Sequence, residues 1–400
     1  MKILHIQTRI SDYGNAAYRL HLAMLNQGLE SFTLSNVIQG EAKNSYKIDG
    51  SISFLNKVLQ HLIALLYKLV KKPNSYFYSS SLLISNNIYK SNLVKQADVI
   101  YIHWICNFLS LRDIEYLAKT GKTIVFYMHD MWTMTGGCHH SFECEGYKTG
   151  CRNCPMFSSL KCMPKRQNEE KKILFSKYNN LFFVSPSEWL FNCAKSSLIL
   201  KDKPIYVIPN IVDENVFHPI DKVLAKKQLH LTLNKKIITF GCSAGTSNPY
   251  KGWRYLQKAL KSLKNKDNYL LVVYGSDYGK ETGLDLPIIY MGTLNEKGLA
   301  LLDNATDIFI SPSLAESFGL TFLENILCDT PVIGFNNTAI PEIVKTGATG
   351  YLAENKNSDD LVRGIDYLMH NPLRVYNNIN YSSSNVVKEH LKLLKNIIKQ

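Results

Sequence analysis

The stretch DIFISPSLAESFGLTFLENILCDTPVIGF, residues 307–335, reads as a strand, a Ser/Pro turn, a helix starting near Phe318 and a second strand. A strand–turn–helix–strand unit of this kind belongs to a parallel sheet covered by helices. In open sheets of that type ligands bind outside the carboxyl ends of the strands. A helix N-terminus there offers unpaired N–H groups and a partial positive charge. Gly319, lacking a side chain, would let a phosphate approach that backbone closely.

Two acids flank the helix start: Glu316 lies in the loop ahead of it and Glu324 almost two turns in. At about 100° per residue their positions fall about 80° out of phase, so they do not form a tight carboxylate pair. They are spaced to touch different parts of one extended ligand. A nucleoside diphosphate linked to a sugar has hydroxyls at both ends and an anionic bridge in the middle. One acid would accept from sugar hydroxyls and the other from ribose hydroxyls, with the helix start on the phosphates. The plainer reading makes Glu316 an N-terminal helix acid and Glu324 a solvated helix residue. Their position between the SPS strand end and the strand PVIGF favours the ligand.

Working outward, short apolar runs alternate with amphipathic helical stretches in both halves of the chain. Strands are expected at 2–8, 98–104, 122–129, 181–186 and 205–210, and again at 236–242, 269–275, 288–292, 307–313 and 331–335. The chain has 400 residues, more than one core usually supports, so two α/β domains are expected. The proline-bounded stretch PNIVDENVFHPI (209–220) reads as a linker, which gives domains 1–215 and 216–380. A final amphipathic helix, 381–400, is expected to pack back on the first domain.

The formal charge of +13 favours a polyanionic neighbour: nucleic acid, an anionic membrane surface or a phosphorylated substrate. No basic reader module accompanies the charge, which disfavours nucleic acid. No apolar run reaches membrane-spanning length and nine cysteines is an odd count, so the chain reads as cytoplasmic. Neither first loop carries G-x-G-x-x-G, which disfavours a NAD-binding enzyme.

On these motifs the sequence resembles the family-4 retaining glycosyltransferases of GT-B fold, two Rossmann-like domains with parallel sheets facing an interdomain cleft. The family signature of Glu, seven residues, Glu matches Glu316 and Glu324. Similar stretches are SPSEWLFNCAKSSLI, VIPNIVDENVFHP, NPYKGWRYLQKAL and PEIVKTGATGYLAE. The resemblance implies transfer of a sugar, with retention, from a nucleotide-sugar donor to a saccharide or lipid-linked acceptor. Capsule, exopolysaccharide, lipopolysaccharide or O-antigen assembly is the usual setting of such enzymes.

It further implies that Lys251, in YKGW, binds the donor diphosphate and that His129, in FYMHDMW, faces the donor sugar, with His103 a second candidate. Gly14 matches a first loop near the phosphates. The amides of Phe318, Gly319 and Leu320, with Ser317 beside them, would stabilise the leaving group together with Lys251. The family often places an arginine shortly before the lysine, and CSAGTSN has none. No Asp-x-Asp occurs, so no catalytic divalent metal is expected. Another GT-B enzyme, such as a sugar-nucleotide epimerase, is the competing reading.

Within an insertion at 136–165, Cys138, Cys144, Cys151 and Cys154 end in C-x-x-C. Four thiolates at such spacing can close a structural zinc site; unligated thiols or a redox-labile pair are the alternatives. Residues 54–72 read as a helix, either packed on the core or lying on an anionic membrane surface.

Overall fold

The computed structural model describes residues 1–11, 15–48, 58, 61–62, 65, 77–79, 88–157, 159, 162–241, 246, 248–275, 283–376 and 381–398. Most of the 54–72 stretch therefore lies outside the described residues. Contacts divide the chain into two units, Met1–Pro209 with Val386–Gln400, and Asn210–Asn385. The division falls ahead of the expected position at 215. Its cause is the apolar content of the linker: Val212 and Phe217 are fully buried in the core of the second unit.

The first unit contains β1 (Lys2–Ser11), β2 (Glu30–Gln39), β3 (Ser45–Lys47), β4 (Val99–Ile102), β5 (Thr123–Tyr127), β6 (Leu181–Ser185) and β7 (Ile205–Val207). They form one sheet in the order β3-β2-β1-β4-β5-β6-β7, with every pairing parallel. Sequence patterning missed β2 and β3. In ESFTLSNVIQ the apolar residues are diluted by Ser, Thr, Asn and Gln, and the strand is held by a long register with β1 running from Lys2↔Glu30 to Ser11↔Gln39. Tertiary pairing here overrides a weak local preference.

The second unit contains β8 (Lys236–Gly241), β9 (Tyr269–Tyr274), β10 (Ile288–Tyr290), β11 (Ile308–Ser311), β12 (Val332–Phe335) and β13 (Gly350–Ala353). Their order is β10-β9-β8-β11-β12-β13, again all parallel. Both faces are covered. Ile237, Val272, Phe309 and Val332 pack into one core with the helix Leu320–Leu327, while Ile238, Val273, Ile310 and Ile333 pack into another with the helices Trp253–Ser262 and Ser358–His370. A sheet buried on both faces explains why its strands read as continuous apolar runs. The strand order reverses between β8 and β11, the topological switch point at which such sheets bind ligands.

Alternation along the strands sends Leu4, Ile6, Ile100, Ile102, Ile124 and Phe126 to one apolar core of the first sheet. The intervening positions carry a different set: His5, Tyr101, His103, Tyr127 and His129. The last helix, Ser383–Ile397, packs on this second set. His390 Nδ1 lies 3.1 Å from the Tyr101 hydroxyl, and its ring meets Tyr101 and Tyr127 edge-on at 5.6 and 5.4 Å. Burial lowers the pKa of His390 from 6.5 to about 3 and that of His129 from 6.5 to about 4. Burial also lowers His5 and His103 well below 6.5, helped by neighbouring imidazoles.

These groups are neutral when folded and protonate at 6.5 when unfolded, so the unfolded chain binds more protons between these two values. Their contribution to stability is complete above pH 6.5 and is lost as pH falls toward 4 or below. Urea unfolding followed from pH 7 to pH 5 is expected to show a steep loss of stability. His390→Phe should remove about one proton from that slope, roughly 1.4 kcal/mol per pH unit. An unchanged slope would mean that His390 is not buried in neutral form.

Candidate functional site

The residues singled out in the second half of the sequence meet at the switch point of the second sheet. After β8 the chain enters a short 3₁₀ turn, Pro249–Lys251, passes through Gly252 and begins the helix Trp253–Ser262. After β11 it makes the SPS turn, runs through Glu316 and begins the helix Leu320–Leu327. Lys251 Nζ lies 2.6 Å from Glu316 Oε1. The lysine side chain is 26% exposed and the glutamate 15%, which leaves the pair partly open to a ligand.

Backbone contacts hold these two segments together. The Leu314 N–H donates to the Tyr250 carbonyl at 2.7 Å, and the Tyr250 N–H is capped by Asn248 Oδ1 at 3.1 Å. Gly252 has φ +70°, and a Cβ there would fall 1.9 Å from the Pro312 carbonyl oxygen. Only glycine permits both the left-handed turn and the approach of the SPS turn. On the far side, the Glu316 N–H donates to Thr338 Oγ1 at 3.0 Å, and the Glu316 carbonyl accepts the Ala339 N–H at 3.3 Å. Asn337 Nδ2 donates to the Ser313 carbonyl at 3.1 Å, tying the loop after β12 to the same turn.

The helix begins at Leu320, later than the expected start near Phe318. Gly319 is its N-cap, held left-handed at φ 99°, so the chain cannot be helical before it. The Phe322 and Leu323 N–H groups donate to the Gly319 carbonyl at 3.0 and 3.2 Å, so the amides left to a ligand at this helix start are those of Leu320 and Thr321, and the Phe318 amide lies ahead of them. Phe318 packs against the apolar core, and Ser317 is largely buried beside Glu316. Glu324 is 4% exposed, so it is not a solvated helix acid.

In the first unit, His129 stands just beyond β5 and His103 just beyond β4. The two candidates between which the sequence chose are hydrogen-bonded, with His103 Nδ1 2.8 Å from His129 Nε2. Gly14 lies outside the described residues. The loop after His129 is held by two interactions that sequence reading missed. Asp130 Oδ2 lies 2.5 Å from His139 Nδ1 and Asp130 Oδ1 accepts the Trp132 N–H at 2.8 Å. Burial opposes the charge of Asp130, but the His139 contact and that N–H bring its pKa below the usual value. Lys171 is fully buried, donates to the carbonyls of Trp132 at 2.6 Å and Thr135 at 3.2 Å, and sits 3.6 Å from the Trp132 ring centre. Burial pulls its pKa down to about 7. In sequence it is one charge within the run KRQNEEKK, with nothing to distinguish it.

The cysteines are free thiols among the described residues, and no group of three or more His, Cys, Asp or Glu side chains there is placed to hold a metal ion. Cys138 Sγ turns to Met156 Sδ at 3.4 Å, in a small cluster with Cys154 and Phe157. Cys144 accepts the Gly146 N–H at 3.4 Å and Cys151 the Gly136 N–H at 3.2 Å. Burial pushes the Cys151 thiol up to about 11. A hydrogen bond donated by the Cys138 thiol to Cys154, together with burial, raises Cys138. Cys144, Cys151 and Cys154 all lie close enough to Cys138 to act on its titration, so the four thiols are neighbours in the fold.

Comparison with known proteins places this geometry. Residues 224–385, which include Lys251, Glu316 and Glu324, match the family described as Glycosyl transferases group 1. An uncharacterized glycosyltransferase of Methanocaldococcus jannaschii is 26% identical over 194 residues, 44% of this chain and 48% of that protein. The D-inositol 3-phosphate glycosyltransferase of Mycobacterium tuberculosis is 27% identical over 171 residues, 40% of this chain and 34% of that protein. The match spans about half or less of the length of these relatives.

Among solved structures, WaaG, a glycosyltransferase involved in lipopolysaccharide biosynthesis, aligns with TM-score 0.65 at 13% identity over 98% of this chain and 99% of that one. HepE of Anabaena, in complex with UDP and glucose, aligns with TM-score 0.62 at 15% identity over all of both chains. The fold is GT-B.

The glycine between Lys251 and its helix gives a structural test. Gly252→Ala is expected to cost at least about 1–2 kcal/mol from the left-handed backbone alone, before the overlap with Pro312 is counted. Thermal unfolding should register it as a lower midpoint for the second unit. A midpoint equal to that of the parent protein would show that Gly252 is not held against the SPS turn.

Proposed function

We propose that the protein is a retaining glycosyltransferase of family 4, moving a sugar from a nucleotide donor to a saccharide or lipid-linked acceptor. The observation that carries this is the Lys251–Glu316 pair, 2.6 Å apart at the switch point beside the start of the helix Leu320–Leu327. An ammonium and a helix N-terminus at one place suit a diphosphate, and they neutralise it without a divalent ion. Glu316, next to that cation, is placed to accept from hydroxyls of the donor sugar. Glu324 would accept from ribose hydroxyls, the role its match to the family signature implies.

In the reaction the bond from the anomeric carbon to the diphosphate oxygen breaks and a bond to the acceptor hydroxyl oxygen forms on the same face. The hydroxyl proton passes to the departing phosphate oxygen. Lys251 and the first-turn amides stabilise the charge that grows on the diphosphate, which is where electrostatic catalysis acts. The family resemblance assigns His129 the role of facing the donor sugar.

HepE is known with UDP and glucose, which makes uridine nucleotides the first donors to test. The WaaG likeness supports polysaccharide or lipopolysaccharide assembly as the setting. Among the described residues no helix is long and apolar enough to cross a membrane. An excess of 46 Lys and Arg over 33 Asp and Glu supports action at an anionic membrane surface inside the cell.

UDP at a hundred times its dissociation constant should stabilise the protein by about 2.7 kcal/mol, seen as a raised melting temperature. Lys251→Ala should abolish most of that shift, and both Lys251→Ala and Glu316→Ala should lose at least about a hundredfold in transfer rate while remaining folded. Normal transfer by both variants would refute the assignment. Conversion of the donor sugar with no acceptor present would instead favour an epimerase.

A further inference from the structure

Three imidazoles on neighbouring strands of the first sheet form a hydrogen-bonded row. His5 lies within β1, His103 just beyond β4 and His129 just beyond β5, all on the face opposite the apolar core. His5 Nδ1 is 2.9 Å from His103 Nε2, and His103 Nδ1 is 2.8 Å from His129 Nε2. The rings stack, with centres 5.2 and 5.1 Å apart. His5 is fully buried and His103 is 6% exposed, while His129 is only partly covered, so the row runs from the interior to the end of the sheet.

The direction of the protons in this row follows from its buried end. His5 Nε2 is buried with no hydrogen-bond partner, in a ring that meets His21 edge-on at 5.9 Å and stacks on Tyr101 at 5.1 Å. A neutral imidazole carries one N–H and one lone pair. If Nε2 of His5 bore the hydrogen, a buried donor would be left without an acceptor, an arrangement folded proteins avoid more strictly than an unused acceptor. The hydrogen therefore sits on His5 Nδ1 and is donated to His103 Nε2. That nitrogen is then an acceptor, so the His103 hydrogen sits on Nδ1 and is donated to His129 Nε2 in turn. The charged and titratable groups around the row include His21 beside His5, His390 beside His5 and His103, Tyr101 and Tyr127 packed on the rings, and Asp130 beside His129. Burial keeps all three rings neutral at pH 7.

We propose that His5 and His103 are positioning residues that fix His129 as its Nδ1–H tautomer, so that this ring offers a donor and no acceptor at the end of β5. Its Nε2 is committed to the row. The ring can then donate to an oxygen of a bound sugar, and it cannot take a proton through Nε2. That such an oxygen is its partner rests on the glycosyl-transfer reading; the tautomer does not. The selectivity expected of the site is for a sugar carrying an acceptor oxygen at this point, and a deoxy analogue lacking it would leave the N–H unpaired.

The direct test is nitrogen-15 NMR of the full chain labelled in histidine at pH 7, without ligand. Protonation at Nδ1 of all three rings, with a scalar coupling across the His103–His129 hydrogen bond, is the expected result. A His129 protonated at Nε2 overturns the proposal whether or not the protein transfers sugar. In His103→Phe, His129 should become a mixture of tautomers and kcat should fall about tenfold with the donor KM nearly unchanged. A single Nδ1–H tautomer persisting in that variant would also overturn it. Where His103→Phe does not fold, the spectrum of the parent protein decides alone. Absence of any transfer by the parent protein, with the expected spectrum, would refute the enzymatic reading and leave the tautomer standing.

Discussion

The contact between the Lys251 ammonium and the Glu316 carboxylate, 2.6 Å apart, is the constraint on which the second unit's site depends. Neither residue is on a long element that would position it alone. Lys251 closes a single 3₁₀ turn, and Glu316 is in a loop. They are brought together by backbone: a glycine that lets the Pro312 carbonyl in, an N–H from Leu314 to Tyr250, and a threonine hydroxyl under Glu316. A partly buried ion pair adds little net stability. Its value is in holding a cation and an acid in register at a place where the sheet order reverses and a helix begins. Those are the requirements for neutralising a diphosphate while gripping the sugar attached to it.

The first unit solves a different problem. The ends of β4 and β5 carry imidazoles, and they are organised by burial and by one another rather than by opposite charge. The sheet's period-two alternation places His5, His103 and His129 on one face, and the helix Ser383–Ile397 covers that face with His390. The loop after His129 is held in place from below by Lys171, which caps two carbonyls and lies against an indole, and by the Asp130–His139 pair. Polar groups fixed at this density cost stability at low pH, and they give a rigid strand end in return.

Much of the fold was legible because a sheet buried on both faces writes itself as continuous apolar runs. Ten of the strands stood out in this way. β2, β3 and β13 did not, since β2 is rich in Ser, Thr, Asn and Gln and the other two are three and four residues long. Glu316 and Gly319 stood out by their placement at a strand end and a helix start, and Lys251 by the resemblance to the family. The partnership of Lys251 with Glu316 was not, because 65 positions separate them and only the order β8-β11 in the sheet makes them neighbours. The same holds for His103 and His129, which the sequence presented as rivals and the sheet presents as partners. The spacing of the four cysteines along the chain suggested that they gather, and in the fold Cys144, Cys151 and Cys154 all stand near Cys138.

A crystal structure of the protein with UDP measures the central claim most directly. The account predicts the β-phosphate within hydrogen-bonding distance of Lys251 Nζ and of the first-turn amides after Gly319, with the ribose hydroxyls on Glu324. A diphosphate bound away from Lys251 and from that helix start would contradict it.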